Sequence, residues 1–201
     1  PNGVPLSEPG VHRVSTSVTY FNPNGSNSEY MKSTANGGTD SWDHTKYLNV
    51  WICNISNGLG YGTAGWAYLP TTGMIPPANL DGVVMDYDMG LQLGNRVLTH
   101  EVGHYLGLPH TWGNTDGAGC GNGNDGIADT PATAGPSFNY PGSCSGNQST
   151  CTGTQTQYEN YMDYSNCTCM FTQGQINLMH GILTSSRSQL VSGTVCTTAL
   201  V

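Results

Sequence analysis

The sequence predicts an α+β fold, with short strands in its first half, a helix near its middle and an irregular second half that closes on a second helix. Three observations carry this. First, Val11 to Phe21, Tyr47 to Cys53, Gly65 to Leu69 and Gly82 to Asp86 are rich in β-branched and aromatic residues, and the first two alternate with polar ones. They are separated by turn-forming stretches such as Asn22-Pro23-Asn24-Gly25. Second, Asn95 is a good N-cap for a helix running to about Leu106, and Gly107 follows as a residue able to turn left-handed. Third, Thr172-Gln173-Gly174-Gln175 reads as a capping box opening a last helix, with Ile176, Met179, Ile182 and Leu183 on one face. Between the helices, Thr111 to Gln157 holds ten glycines, three cysteines and three aspartates without periodicity. A structureless run of that length needs pinning, by disulfides or a bound cation.

The 201 residues fit one domain, or two small subdomains sharing a cleft. A formal net charge of -8 with only five Lys and Arg argues against nucleic acid and anionic membrane as partners. Nothing in the sequence approaches a membrane span. Seven cysteines, five of them between Cys120 and Cys169 and none in a CxxC pair, favour disulfides in an oxidising, extracellular compartment over a zinc ribbon. Their connectivity stays open on spacing alone. The chain starts at Pro1 without a signal-like segment, as a mature secreted form would.

Residues 100 to 110 read His-Glu-Val-Gly-His-Tyr-Leu-Gly-Leu-Pro-His. On a helix, His100 and His104 sit one turn apart and present both imidazoles to one ion. Gly107 lets the chain turn sharply and bring His110 round as third ligand. Three neutral nitrogens leave a fourth zinc position open for water, the arrangement of a catalytic rather than a structural site. Glu101, beside the ligands, is placed to act as general base. By chance, five fixed positions would coincide in roughly one in 10⁵ such chains, which rules out coincidence as the working explanation.

The pattern HExxHxxGxxH identifies the chain as a resemblance to the metzincin zinc peptidases, and Tyr161-Met162-Asp163-Tyr164 resembles their Met-turn. That resemblance implies that Met162 forms a hydrophobic floor beneath the zinc and that Tyr164 approaches the metal or the oxyanion. Within the metzincins the chain is most similar to the pappalysin family, including its cytophagalysin-like members. The stretches that carry the similarity are GGTDSWDHTKYLNVWIC (37 to 53), LTHEVGHYLGLPHTWG (98 to 113), DGIADTPAT (125 to 133) and ENYMDY (159 to 164). The family implies a metzincin-type zincin with a small twisted mixed β-sheet, an active-site helix and an irregular C-terminal subdomain ending in a helix. The chain then divides into 1–107, with the sheet and active-site helix, and 108–201, with the remaining features. The implied activity is that of a secreted, monomeric zinc endopeptidase whose strand near Gly65 to Leu69 pairs with extended protein or peptide substrates. The competing reading is a non-catalytic zinc-binding or adhesion module. An intact Glu101 favours catalysis.

The resemblance further implies a calcium site at Asp125 and Thr130 with Asp129 nearby, and bridges Cys120–Cys151 and Cys144–Cys169, leaving Cys53, Cys167 and Cys196 unassigned. Clustered oxygen ligands in a glycine-rich loop suit calcium. Two departures stand out. No amphipathic helix precedes the strands, where the family carries a backing helix behind the sheet. No Asp or Glu follows Asp163, whereas relatives that cut before Arg or Lys place an acidic residue just after the Met-turn. No strong basic preference after the cut is therefore expected. His12, His44 and His180 have no ligand spacing and read as surface or packing residues.

Overall fold

The computed structural model describes residues 6–56, 63–70, 74–90, 96–113, 120, 124–137, 151, 153 and 155–192. Among these residues the sheet has three strands, β1 (Val50–Cys53), β2 (Gly65–Ala67) and β3 (Val83–Asp86), in the order β1-β3-β2. β1 lies parallel to β3, and β2 antiparallel to it, so the sheet is mixed. All four residues of the central strand are buried, as expected for a strand packed on both faces. On one face Val84 joins Trp51, Phe21, Met31 and Ile55. On the other, Val83 and Met85 meet Tyr105 together with Val97 and Val102 of helix α1 (Val97–Tyr105). The first half thus places α1 against β2 and β3.

β1 is covered on one face only. Trp51 points into the core, while Val50 and Ile52 remain exposed on the face where α1 covers the neighbouring strand. The expected strand at Val11 to Phe21 does not form: this stretch makes a single bridge, Glu8 to Val11, and Val11, Val14 and Tyr20 are exposed. β-branched composition suits a pleated surface but cannot create a partner edge. Here the stretch packs Val18 and Phe21 on the Trp51 cluster and hydrogen-bonds to the chain just past the end of β1, through Phe21 N to Asn54 O at 2.9 Å and Asn54 Nδ2 to Thr19 O at 3.0 Å.

Helix α1 begins after Arg96, which makes no side-chain cap; the expected cap Asn95 lies outside the described residues. Its end follows the sequence. Gly107 adopts φ 91°, its N–H donates to His104 O (2.8 Å), and Leu108 N–H reaches back to Gly103 O (2.9 Å). These two bonds make a Schellman motif, whose positive φ only glycine adopts without strain.

Helix α2 (Gln173–Thr184) opens with both halves of the expected capping box. Its buried face differs from expectation. Gln175 is fully buried, Leu178 and Met179 pack on Leu108, Ile127 and Met162, and Ile176 is 46% exposed. The inward stripe is therefore centred on Gln175 and continues through Leu178, Met179 and Ile182, about a third of a turn from Ile176. A short helix α3 (Ser188–Ser192) follows, with Leu190 against the Val83–Met85–Tyr105 cluster.

Just before α3, Arg187 is buried and makes two bonds to Asp81, at 2.7 and 2.8 Å, while its Nε donates to Tyr105 O at 3.0 Å. Its guanidinium carbon lies 3.5 Å over the Tyr105 ring, and His44 Nδ1 stands 3.3 Å from Asp81. This pair joins the entry to β3, the end of α1 and the C-terminal helices.

Cys120 and Cys151 are bridged, with their Cα atoms 5.3 Å apart. The expected Cys144–Cys169 bridge is corrected: Cys169 is a free, exposed thiol, and it is Cys167 that is disulfide-bonded. Cys144 and Cys196 lie outside the described residues. Cys53 is also free, and burial, then Asp86, pushes its thiol up to about 12.

Candidate active site

The helix geometry brings His100, His104 and His110 together, with one candidate ligand atom from each lying within 4.8 Å of the others. The far nitrogens of the first two rings are already committed. His100 Nδ1 donates to Tyr161 O at 2.6 Å and His104 Nδ1 to Leu108 O at 2.7 Å. These carbonyls fix the tautomer in which Nε2 carries a lone pair, as ligating imidazoles require. His104 Nε2 and His110 Nε2 face each other at 3.1 Å. With both Nδ1 donors spent or remote, a cation is the natural partner for such converging lone pairs. Burial depresses all three imidazoles: His100 to about 3 and His110 to about 2, with neighbouring histidines adding to the shift, and His104 in the same direction. Neutral nitrogen ligands converging on one point fit zinc.

Glu101 is 5% exposed and lies on the same helix. One of its oxygens accepts the Ala67 N–H from edge strand β2, and Oε2 has no hydrogen-bond partner. Burial raises its carboxyl to about 8, with the Ala67 bond opposing. The room for its stem comes from Gly65: a Cβ there would stand 3.1 Å from Glu101 Cγ and 2.8 Å from Val84 O.

The Met-turn closes the site from below. Met162 is fully buried, and its sulfur sits 2.4 Å from where a Cβ on Gly103 would be. Gly103 lies between the two helical histidines, so the absent side chain lets the thioether seat directly under them. Tyr164 is half-exposed, its ring 5.5 Å from that of His100 and 4.9 Å from that of His110. Asp163 turns inward and accepts Ser137 N–H (2.8 Å) and Tyr164 N–H (2.6 Å), tying the 130–137 segment to the turn.

Of the expected calcium ligands, Asp125 and Thr130 meet: Thr130 Oγ1 lies 2.5 Å from Asp125 Oδ1, and Asp125 Oδ2 is buried without a partner. Asp129 has a different role. Its carboxylate accepts Gly174 N–H and the Thr172 hydroxyl, both at 2.8 Å, and so caps α2.

The motif also understates its surroundings. Trp112, only 1% exposed, stacks on His110 with centroids 4.5 Å apart and meets Tyr164 edge-on at 4.8 Å. A tryptophan two residues beyond the last ligand, in a polar loop, was the available signal.

The sequence profile of the pregnancy-associated plasma protein-A peptidase family (Peptidase_M43) matches residues 31–184, which include every zinc-site residue above. The chain belongs to the pappalysin family. Its fold is similar to that of Tannerella forsythia mature mirolysin in complex with a cleaved peptide, at TM-score 0.76 and 34% identity over 94% of this chain and 70% of that one. It also resembles promirolysin from the same organism, at TM-score 0.75 over 94% of this chain and 62% of that one. Among curated proteins it is 34% identical to an extracellular metalloprotease of Verticillium alfalfae over 81% of this chain and 56% of that protein. An extracellular metalloprotease of Arthroderma benhamiae is 34% identical over 74% and 50%. This pappalysin thus spans about half the length of the curated relatives it matches. The mixed sheet, the active-site helix and the irregular C-terminal part agree with the metzincin-type α+β fold.

Proposed function

We propose that this chain is the catalytic domain of a secreted zinc endopeptidase, acting as a monomer on protein substrates bound in extended form. The observation that carries the reading is three neutral, converging imidazoles beside a buried carboxylate that keeps one oxygen uncommitted. Zinc, when bound by His100, His104 and His110, supplies a Lewis acid for the scissile carbonyl and acidifies the attacking water. Glu101 Oε2 takes the proton of that water and passes it to the leaving amine, while the Ala67 N–H holds the other oxygen still. The Tyr164 phenol donates to the oxyanion that develops on the substrate carbonyl. Gly65–Ala67, an edge of the sheet, offers its open side to the substrate backbone, in keeping with the cleaved peptide held by mirolysin. The division at Gly107 separates sheet and helix above from the Met-turn part below.

Casein or gelatin digestion tests this directly. Activity should vanish with a zinc chelator and return with stoichiometric zinc; activity indifferent to chelation would remove the reading. The same digests report specificity, and no dominance of Arg or Lys after the cut is expected. Tyr164→Phe should lower kcat by about 10²-fold, the usual worth of one oxyanion donor, with KM little changed. An unchanged kcat would leave Tyr164 as a packing residue.

The buried, unpaired Asp125 Oδ2 beside Thr130 supports a calcium site of this pair with further oxygen ligands. Calcium should raise the melting temperature of the zinc-loaded protein, and Asp125→Asn should abolish that rise. Equal melting curves with and without calcium would dismiss the site.

A further inference from the structure

Beneath the active site lies a buried amide pair that the catalytic reading does not use. Asn160 and Gln175 are both fully buried and face each other across the space between the Met-turn and the first turn of α2. Asn160 Nδ2 donates to Gln175 Oε1 at 2.9 Å, and Gln175 Nε2 returns a bond to Asn160 Oδ1 at 3.1 Å. Asn160 Nδ2 also donates to Gln157 Oε1 (3.1 Å), and Oδ1 accepts Met162 N–H (2.9 Å). All four hydrogen-bonding positions of the Asn160 amide are therefore filled. Gln175 Oε1 accepts Thr172 N–H as well (2.9 Å), completing the capping box. Both orientations are fixed chemically, because Met162 N–H and Thr172 N–H are donors that must each meet an oxygen.

The residue enclosed between Asn160 and Met162 is Tyr161, whose carbonyl accepts His100 Nδ1. Its own N–H is held by Met170 O at 2.8 Å. The Tyr161 peptide is thus anchored on one side by Met170 and on the other by the bond from Met162 N–H to Asn160. A rotation of that peptide would turn the carbonyl away from His100 and release the ring to other tautomers and orientations. We propose that Asn160 and Gln175 are positioning residues for the zinc centre: their reciprocal amide bonds lock the Tyr161 carbonyl that orients His100, and so couple metal affinity to the seating of α2. The inference rests on the three-histidine zinc site and adds to it the residues that keep its first ligand aimed.

The test compares wild type, Asn160→Ala and Gln175→Met for zinc affinity, by competition with a chelator of known affinity well below the lowest melting temperature. Gln175→Met keeps the length of the side chain, adds no charge at a fully buried position and removes the reciprocal bonds to Asn160, while the Thr172 hydroxyl still accepts the residue-175 N–H, so it decides the matter if Asn160→Ala does not fold. Both variants should bind zinc about 10–100-fold more weakly, the range found for partners of ligating groups. In the zinc-loaded protein with ¹⁵N-labelled histidine, the His100 Nδ1–H proton should exchange faster with water in the variants. Gln173→Ala, which removes the exposed bond to Asn177 on the same turn, should change neither readout. Variants with a lower melting temperature but wild-type zinc affinity and exchange would overturn the proposal, since a purely structural pair would behave in that way. A His100→Ala protein that binds zinc as wild type does would instead sink the metal site itself.

Discussion

Glu101→Gln is expected to lower kcat/KM on a denatured protein substrate by about 10³-fold or more while zinc stays bound at one equivalent. General acid–base catalysis is worth typically 10²–10⁴-fold, and here one group serves both as base for the water and as acid for the leaving amine. Glutamine matches the shape of glutamate, so its carbonyl oxygen still accepts the Ala67 N–H, and what disappears is the proton-accepting capacity of Oε2. The three imidazoles do not touch this change, hence the retained zinc. Removing a carboxylate that is 5% exposed and otherwise unpaired should not cost stability. Activity equal to wild type would refute the assigned base. Full zinc content with no activity in wild type either would point to a binding module that has kept the fold.

Arg187→Met is expected to be strongly destabilising. Asp81 has a side chain that is 0% exposed, and the two bonds from Arg187 compensate its charge, with His44 at 3.3 Å and the buried Lys32 ammonium adding weaker support. Truncating one partner of a buried pair costs about 3–5 kcal/mol because the other charge is stranded. For a chain of this size that corresponds to a fall in Tm of roughly 6–20 °C. The methionine stem keeps contact with the Tyr105 ring, so the loss is chiefly electrostatic and of hydrogen bonds to Asp81 and Tyr105 O. Adding Asp81→Leu to Arg187→Met should recover much of the loss, since a neutral pair leaves no stranded charge and only the Tyr105 carbonyl without its donor. Thermal melts of the two singles and the double decide it; additive losses would mean that packing, not charge, dominates.

What was legible in the sequence was what a short stretch of chain decides by itself. The spacing of His100, Glu101, His104 and His110 is helix geometry plus one glycine turn, and the Thr172–Gln175 box lies within a single helical turn. Both need no distant partner to be read. Val11 to Phe21 misled because strand formation depends on an edge to pair with, and no described strand pairs with it. Ile176 misled because the α2 face is set by Gln175, a polar residue that becomes the most buried of the helix through its bonds to Asn160, 15 residues away. Asp81 and Arg187 are 106 residues apart, and nothing near either betrays the other. Asp129 was close in sequence to Asp125, yet its carboxylate is used 45 residues on, at the N–H of Gly174.

The two carbonyls that aim the helical histidines close very different lengths of chain. His104 finds its acceptor four residues on, at Leu108, but His100 finds it 61 residues on, at Tyr161. By loop-closure entropy alone the second costs roughly 2 kcal/mol more to form. The His104 half of the site is closed within the motif's own turn, while the His100 half needs the chain as far as the Met-turn. A chain that stops short of Tyr161 carries the whole signature motif and still lacks a finished metal site, so domain boundaries drawn around the motif alone will produce protein that is recognisable but incompletely aimed.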